Sequence, residues 1–249
     1  MPQRRSLARE LVLVVGLLLA VSAVTAVVGQ THLSAAGRGE RRVVAESKFS
    51  VTDPALQAEL VLLVVDFPPG AWTSLHTHGG QAINLVLEGE ITLRHAGMEQ
   101  PHRAGQAWTD STGQPHAAGN TGRRKARLLT NFLLPAGAPQ TTALQDSPLE
   151  PTIVYETRFR VSALAADTEI VQQVTDLPSG WRAERTAMGF TANILVDGEV
   201  TYQLGGQRMQ YKAGESWSAR AGTLVMEQNR SASVARVFTT YLLPKGAGR

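Results

Sequence analysis

Sliding the stretch 68–138 along the chain by 109 positions lays it over 177–247 with 22 identities in 71 places and no gap. The matches include Trp72 with Trp181, Asn84 with Asn193, Gly89-Glu90 with Gly198-Glu199, Gly105 with Gly214, Trp108 with Trp217, Gly113 with Gly222 and Asn120 with Asn229. Leu133-Leu134-Pro135 falls on Leu242-Leu243-Pro244, and all four tryptophans of the chain lie in these pairs. Upstream the match continues at a shift of 110, with Glu46, Phe49 and Val51 over Glu156, Phe159 and Val161. A period this long is a duplicated domain, not a solenoid unit. Between the turn glycines run short alternating apolar and polar stretches, such as Ala58 to Phe67, Ile83 to Leu87 and Arg127 to Leu134, which is an all-β pattern.

The reading divides the chain into an apolar leader at 1–28, a flexible spacer at 29–41, one barrel at 42–140, a linker at 141–151 and a second barrel at 152–249. In the leader, Arg4, Arg5 and Arg9 precede an uncharged apolar run from Leu11 to Val28, which reads as an export signal or a membrane anchor. Val24-Thr25-Ala26 offers a cleavage site, and the Arg4-Arg5 pair loosely matches a twin-arginine signal. The formal charge of +3 falls to +1 once residues 1–26, with three arginines and Glu10, are removed. No basic face interleaved with aromatics suits a nucleic acid, and Arg123-Arg124-Lys125 reads as a hairpin tip. With no cysteine in the chain, any metal must be held by histidine, carboxylate, amide or water.

The chemistry sits between Gly70 and Asn120. His76 and His78 stand two apart, so on an extended strand both imidazoles leave the same face. His116 arrives from a later strand and can complete a set of three nitrogens for a divalent transition metal, Zn, Cu, Ni, Fe or Mn. Gly70, His76, His78 and Gly89, followed by Gly105, Gly113, His116 and Asn120, fall on the two sequence motifs of the cupins without a gap, and the chain resembles that superfamily. The resemblance covers residues 42 to 247 and implies a bicupin, two tandem jelly-roll barrels with a small-molecule site. It also implies a glutamate as fourth ligand, but the position it should hold is Ala82, with Gln81 beside it and Ser111 standing where the second motif has proline. Gln81 is the substitute ligand this reading offers, reaching inward if Gly79-Gly80 lets the loop bulge, with Asn84 as a second polar candidate. Trp72 and Trp108 are candidate pocket walls.

In the second copy, Arg185, Ala187 and Val225 replace His76, His78 and His116, so metal is expected in the first barrel alone. Arg185 becomes a candidate anchor for a carboxylate ligand. Two functions remain open. One is an O₂-dependent dioxygenase with a three-histidine centre, as in some cupins; the other is a non-catalytic module that binds or senses a small ligand. An all-nitrogen site favours Cu²⁺, Ni²⁺ or Zn²⁺ by affinity. A second copy of the chain is a candidate partner, and His32, His95 and His102 read as solvated.

Overall fold

The computed structural model describes residues 39–246 apart from 52, 53, 56 and 163; the apolar run read as an export signal or anchor, and the cleavage site expected in it, lie outside the described residues. The described residues form strands and turns with no helix, as the alternating pattern predicts. The first half supplies β1 (Arg42–Ser50), β2 (Gln57–Phe67), β3 (Leu75–Thr77), β4 (Gln81–Glu88), β5 (Glu90–His95), β6 (Met98–Arg103), β7 (Ala107–Asp110), β8 (His116–Gly119) and β9 (Ala126–Pro135). After β10 (Thr142–Gln145), the second half repeats the series as β11 (Thr152–Ser162), β12 (Thr168–Leu177), β13 (Arg182–Thr186), β14 (Phe190–Asp197), β15 (Glu199–Leu204), β16 (Gln207–Lys212), β17 (Ser216–Ala219), β18 (Leu224–Gln228) and β19 (Ala235–Pro244).

These strands make four antiparallel sheets. The first barrel is closed by the sheets β11-β2-β9-β4-β7 and β10-β3-β8-β5-β6, and the second by β1-β12-β19-β14-β17 and β13-β18-β15-β16. The barrels therefore do not end where the repeat ends. β1 lies on β12, with Phe49 opposite Ile170, and β11 lies on β2, with Phe159 opposite Leu60. Each half gives its first strand to the other barrel, so the spans 42–140 and 152–249 are repeat units in sequence but not the units of sheet pairing. Strand β10 also falls inside the stretch assigned to a linker.

The packing of one barrel on the other explains the composition of β2, whose run Leu60 to Val65 is apolar at every position. Strands that read this way are covered on both faces. Leu60, Leu62 and Val64 join a cluster shared by both barrels, with Ile83, Leu85 and Leu129 from one side and Ile170, Ile194 and Phe238 from the other. Val61, Leu63 and Val65 turn the other way, into the first barrel with Trp108 and Phe132. A fully buried Leu, Ile or Phe is worth about 1.5–3 kcal/mol, so the shared cluster rivals the net stability of a whole domain. Polar groups fix its register. Ser47 on β1 donates to Gln172 Oε1 at 2.8 Å, and Gln172 Nε2 donates to the Ile83 carbonyl at 3.0 Å. Asn131 Nδ2 donates to Thr240 Oγ1 at 2.5 Å, and these two residues are equivalent in the repeat, so the bond lies near the axis relating the halves.

Several residues shared by the copies are explained by shape. Gly89 and Gly198 adopt φ of 74° and 84°, and a Cβ at either would press on Ala126 or Ala235 at about 3 Å, so only glycine fits. Asn120 Nδ2 donates to the carbonyls of Phe67 and Arg124, and its Oδ1 accepts from the Gly122 amide. Asn229 repeats all three bonds with Leu177, Ser233 and Ser231. This asparagine of the second cupin motif thus pins a turn to the end of the second strand, and it does so in both barrels.

Candidate metal centre

His76 on β3 lies directly opposite His116 on β8, and His78 follows one residue past the end of β3. The three rings meet with centroids 4.5, 4.7 and 4.8 Å apart, all three side chains are buried, and their ligand atoms lie within 4.8 Å of one another. Each Nδ1 faces a backbone carbonyl: Ser74 at 2.7 Å for His76, Gln140 at 2.9 Å for His78 and Gln114 at 2.9 Å for His116. An Nδ1–H donated to a carbonyl leaves Nε2 with a bare lone pair, the tautomer a metal requires. Burial lowers the pKa of all three, His78 to about 3, so the neutral form prevails at pH 7. Donor type, tautomer and protonation therefore all suit a divalent transition metal.

Strand β10 belongs to this arrangement. It pairs with β3, placing Ala143 opposite His76, and the Gln140 carbonyl just before it orients His78. The second half carries no histidine at all, so its barrel has no such ring to orient.

The remaining sequence candidates separate. Gln81 occupies the face of β4 opposite to Ala82, and its Nε2 donates to the Ser50 carbonyl at 3.3 Å, toward the other barrel. Gly79 and Gly80 are sites of close approach, where a Cβ would meet the carbonyls of Pro139 and Leu133 at 2.4 and 2.2 Å. The structure thus takes Gln81 out of the ligand set. Asn84 faces the barrel interior, where its Oδ1 accepts from Thr130 at 2.8 Å and its Nδ2 donates to Asp110 Oδ2 at 2.7 Å. Trp108 is buried in the same interior and donates Nε1–H to Asp110 Oδ1 at 3.2 Å. Trp72 does not line the interior. It lies under the Arg94 guanidinium at 4.1 Å, on the face of β5 opposite to Ile91 and Leu93, and its ring fills the space where Gly119 lacks a side chain. Arg185 pairs across the ladder with Val225, and its guanidinium is 3.6 Å from the Glu227 carboxylate, which already supplies the anion a ligand would have brought.

Two histidines depart from what the sequence suggests, and one carboxylate that the sequence reading did not single out joins the site. His102 is buried and stacks on Trp108 at 4.4 Å, just as Tyr211 stacks on Trp217 at 4.4 Å, so it is core and not a solvated insert. The repeat carries that signal, since it aligns His102 with Tyr211. His95 lies opposite His116 and shares its face, making a row of His76, His116 and His95 across the sheet. Asp110 is 7% exposed and its Oδ2 stands 3.4 Å from His116 Nε2; burial pushes its carboxyl up to about 6.

Residues 63–132 match the family described as the cupin domain, within the first barrel, and the repeat supplies a second barrel of the same topology. The chain carries a cupin domain in a bicupin-like fold. Solved structures similar to it include oxalate decarboxylase from Bacillus subtilis, with a TM-score of 0.55, 11% identity and coverage of 84% of this chain and 78% of that one. AerE from Microcystis aeruginosa gives 0.52 at 15% identity, covering 81% and 98%, and YhaK from Escherichia coli gives 0.51 at 15%, covering 80% and 94%. Such identities establish a shared fold. Among curated proteins, the HTH-type transcriptional regulator PuuR of Escherichia coli (strain K12) is 35% identical over 72 residues, which is 28% of this chain and 39% of that regulator.

Proposed function

We propose that this cupin is an exported protein whose first barrel holds one divalent transition metal and uses it on a small organic molecule, with O₂-dependent oxidation as the reaction class its donor set suits best. One observation carries the reading: three buried imidazoles, each with Nδ1–H tied to a carbonyl, turn their Nε2 atoms toward a common point. When bound, the metal would supply a Lewis-acidic centre with positions open to substrate and O₂. The chain's own residues set the conditions. The carbonyls of Ser74, Gln114 and Gln140 hold the tautomers, burial keeps the rings unprotonated, and Phe132, packed on His78 at 4.7 Å, keeps water from that side. A similar oxalate decarboxylase is described with Mn(II) centres, which agrees with a divalent ion in this kind of barrel. Export rests on Arg4, Arg5 and Arg9 ahead of the apolar run 11–28.

A non-catalytic ligand sensor is the second reading, favoured by the 72-residue likeness to part of a transcriptional regulator. The two are separated by purifying the protein, measuring its metal content, and following O₂ uptake with small phenols, diketones and thiols. Metal with substrate-dependent uptake supports the oxidative reading. Saturable ligand binding without uptake supports the sensor, and protein that takes up no divalent metal refutes the oxidative reading.

A further inference from the structure

Ala82, which stands where the family's glutamate is missing, is fully buried, and the residue directly across the ladder from it is Asp110. Partners facing each other on antiparallel strands project from the same face with Cβ atoms about 4.5–5.5 Å apart. β7 therefore delivers a carboxylate to the space that the short Ala82 side chain leaves. Its Oδ2 lies 3.4 Å from His116 Nε2. Because His116 Nδ1 is committed to the Gln114 carbonyl, the neutral ring presents a lone pair there, and two acceptors face one another inside the barrel. Such a pair requires a cation or a proton between its members. Two ligands each about 2.1 Å from one ion and spread at a tetrahedral angle are about 3.4 Å apart, so the spacing suits a shared ion.

The second barrel shows what remains when this carboxylate is gone. Its equivalent ladder pair is Thr191 with Ala219. The supporting frame is intact, with Thr239 donating to Asn193 Oδ1 at 2.8 Å as Thr130 does to Asn84. Trp217 Nε1, the counterpart of the indole N–H that bonds Asp110, is buried with no partner. The barrel keeps its fold in spite of that orphaned donor, so a carboxylate at this position is not required for folding. It is missing in the copy that also lacks all three histidines, and four residues absent together point to one shared role.

We propose that Asp110 is the fourth protein ligand of the first barrel's metal, a carboxylate carried on β7 in place of the glutamate that β4 lacks. This rests on the reading of the three histidines as a metal centre. Asn84 and Trp108 hold the carboxylate in place, and the donor set becomes three nitrogens and one oxygen, which widens the range of suitable ions beyond those an all-nitrogen site prefers.

The test uses the full chain with Zn²⁺ titrated against a chromophoric chelator, and Co²⁺ alone as a spectroscopic probe of the ligand set. Asp110→Ala reproduces what the second barrel carries and should fold normally by circular dichroism. It should weaken Zn²⁺ binding at least tenfold and alter the visible Co²⁺ bands. Adding Ala82→Glu to that variant returns a carboxylate from the adjacent strand and should recover most of the affinity. Unchanged Co²⁺ bands in Asp110→Ala would overturn the assignment, whatever the affinity, because the carboxylate would then lie outside the coordination sphere. A parent protein that binds neither ion would instead overturn the metal centre itself.

Discussion

Substituting His78 by Asn in the metal-free protein should make folding less sensitive to acid. Burial holds the folded pKa of His78 at about 3, against an ordinary value of 6.5 in the unfolded chain. Below pH 6.5 the unfolded chain therefore binds more protons, so the stability this site provides is complete above 6.5 and drains away as the pH falls toward 3. Between pH 7 and pH 5.5 one such group removes about 1.3 kcal/mol. His76, His102 and His116 act in the same direction, while Asp110, raised to about 6, acts in the opposite one. These contributions are common to parent and variant and largely cancel in the comparison. Asn does not titrate and can still donate to the Gln140 carbonyl, so the variant should lose about 1.3 kcal/mol less than the parent over this interval. Urea unfolding with a chelator present at the two pH values measures the difference, which is about half a molar in midpoint for a slope of about 2–3 kcal/mol/M. Equal losses in parent and variant would refute the claim that His78 is buried in its neutral form.

Residues 152–249 expressed alone should aggregate or melt without cooperativity, because the fragment lacks β1 and carries β11 with no β2 to pair with; a sharp, reversible melt would contradict the exchanged sheets. Asn120→Ala should destabilise by about 2–4 kcal/mol in chemical unfolding, since it frees two carbonyls and one amide, and Asn229→Ala should cost a similar amount although its barrel lacks the three histidines. Replacing His76 and His78 together by Ala should abolish metal uptake, measured by elemental analysis, while leaving the circular dichroism of the barrel intact; one equivalent of metal retained would place the site elsewhere. Changing Arg4 and Arg5 to Lys should leave export unimpaired in a fractionation assay if the leader is a general secretory signal, and export that collapses would assign it to the twin-arginine route.

Whatever local chemistry or the repeat determines is legible in the sequence. Strand alternation alone puts His76 and His78 on one face, and the duplicated glycines locate the turns. The strand exchange is not legible, because β1 and β11 are equivalent in the repeat and carry the same alternation; which barrel each joins depends on pairing with a strand remote in the sequence. Asp110 escapes a reading guided by the cupin motif because that motif sets its carboxylate on β4, whereas this one lies one strand over, opposite Ala82. Comparing Asp110 with Ala219 reveals it, since the second copy gives up that residue along with the three histidines. Gln81 is misplaced for the converse reason. The two glycines before it suggest freedom for the backbone, and they are sites of close approach.

The exchanged strands also set an order of assembly on a chain made from its N-terminus. β1 is synthesised first, yet its partner β12 emerges more than a hundred residues later, and the first barrel cannot seal its sheet until β11 has followed. Until then β2, apolar on both faces, stands at an open edge, which is the kind of strand that recruits other chains. A nascent chain of this design benefits from staying unfolded, or escorted, until nearly all of it exists. A helper that releases it too early should yield oligomers joined through β1 and β11 of different molecules, the same two ladders closed between chains.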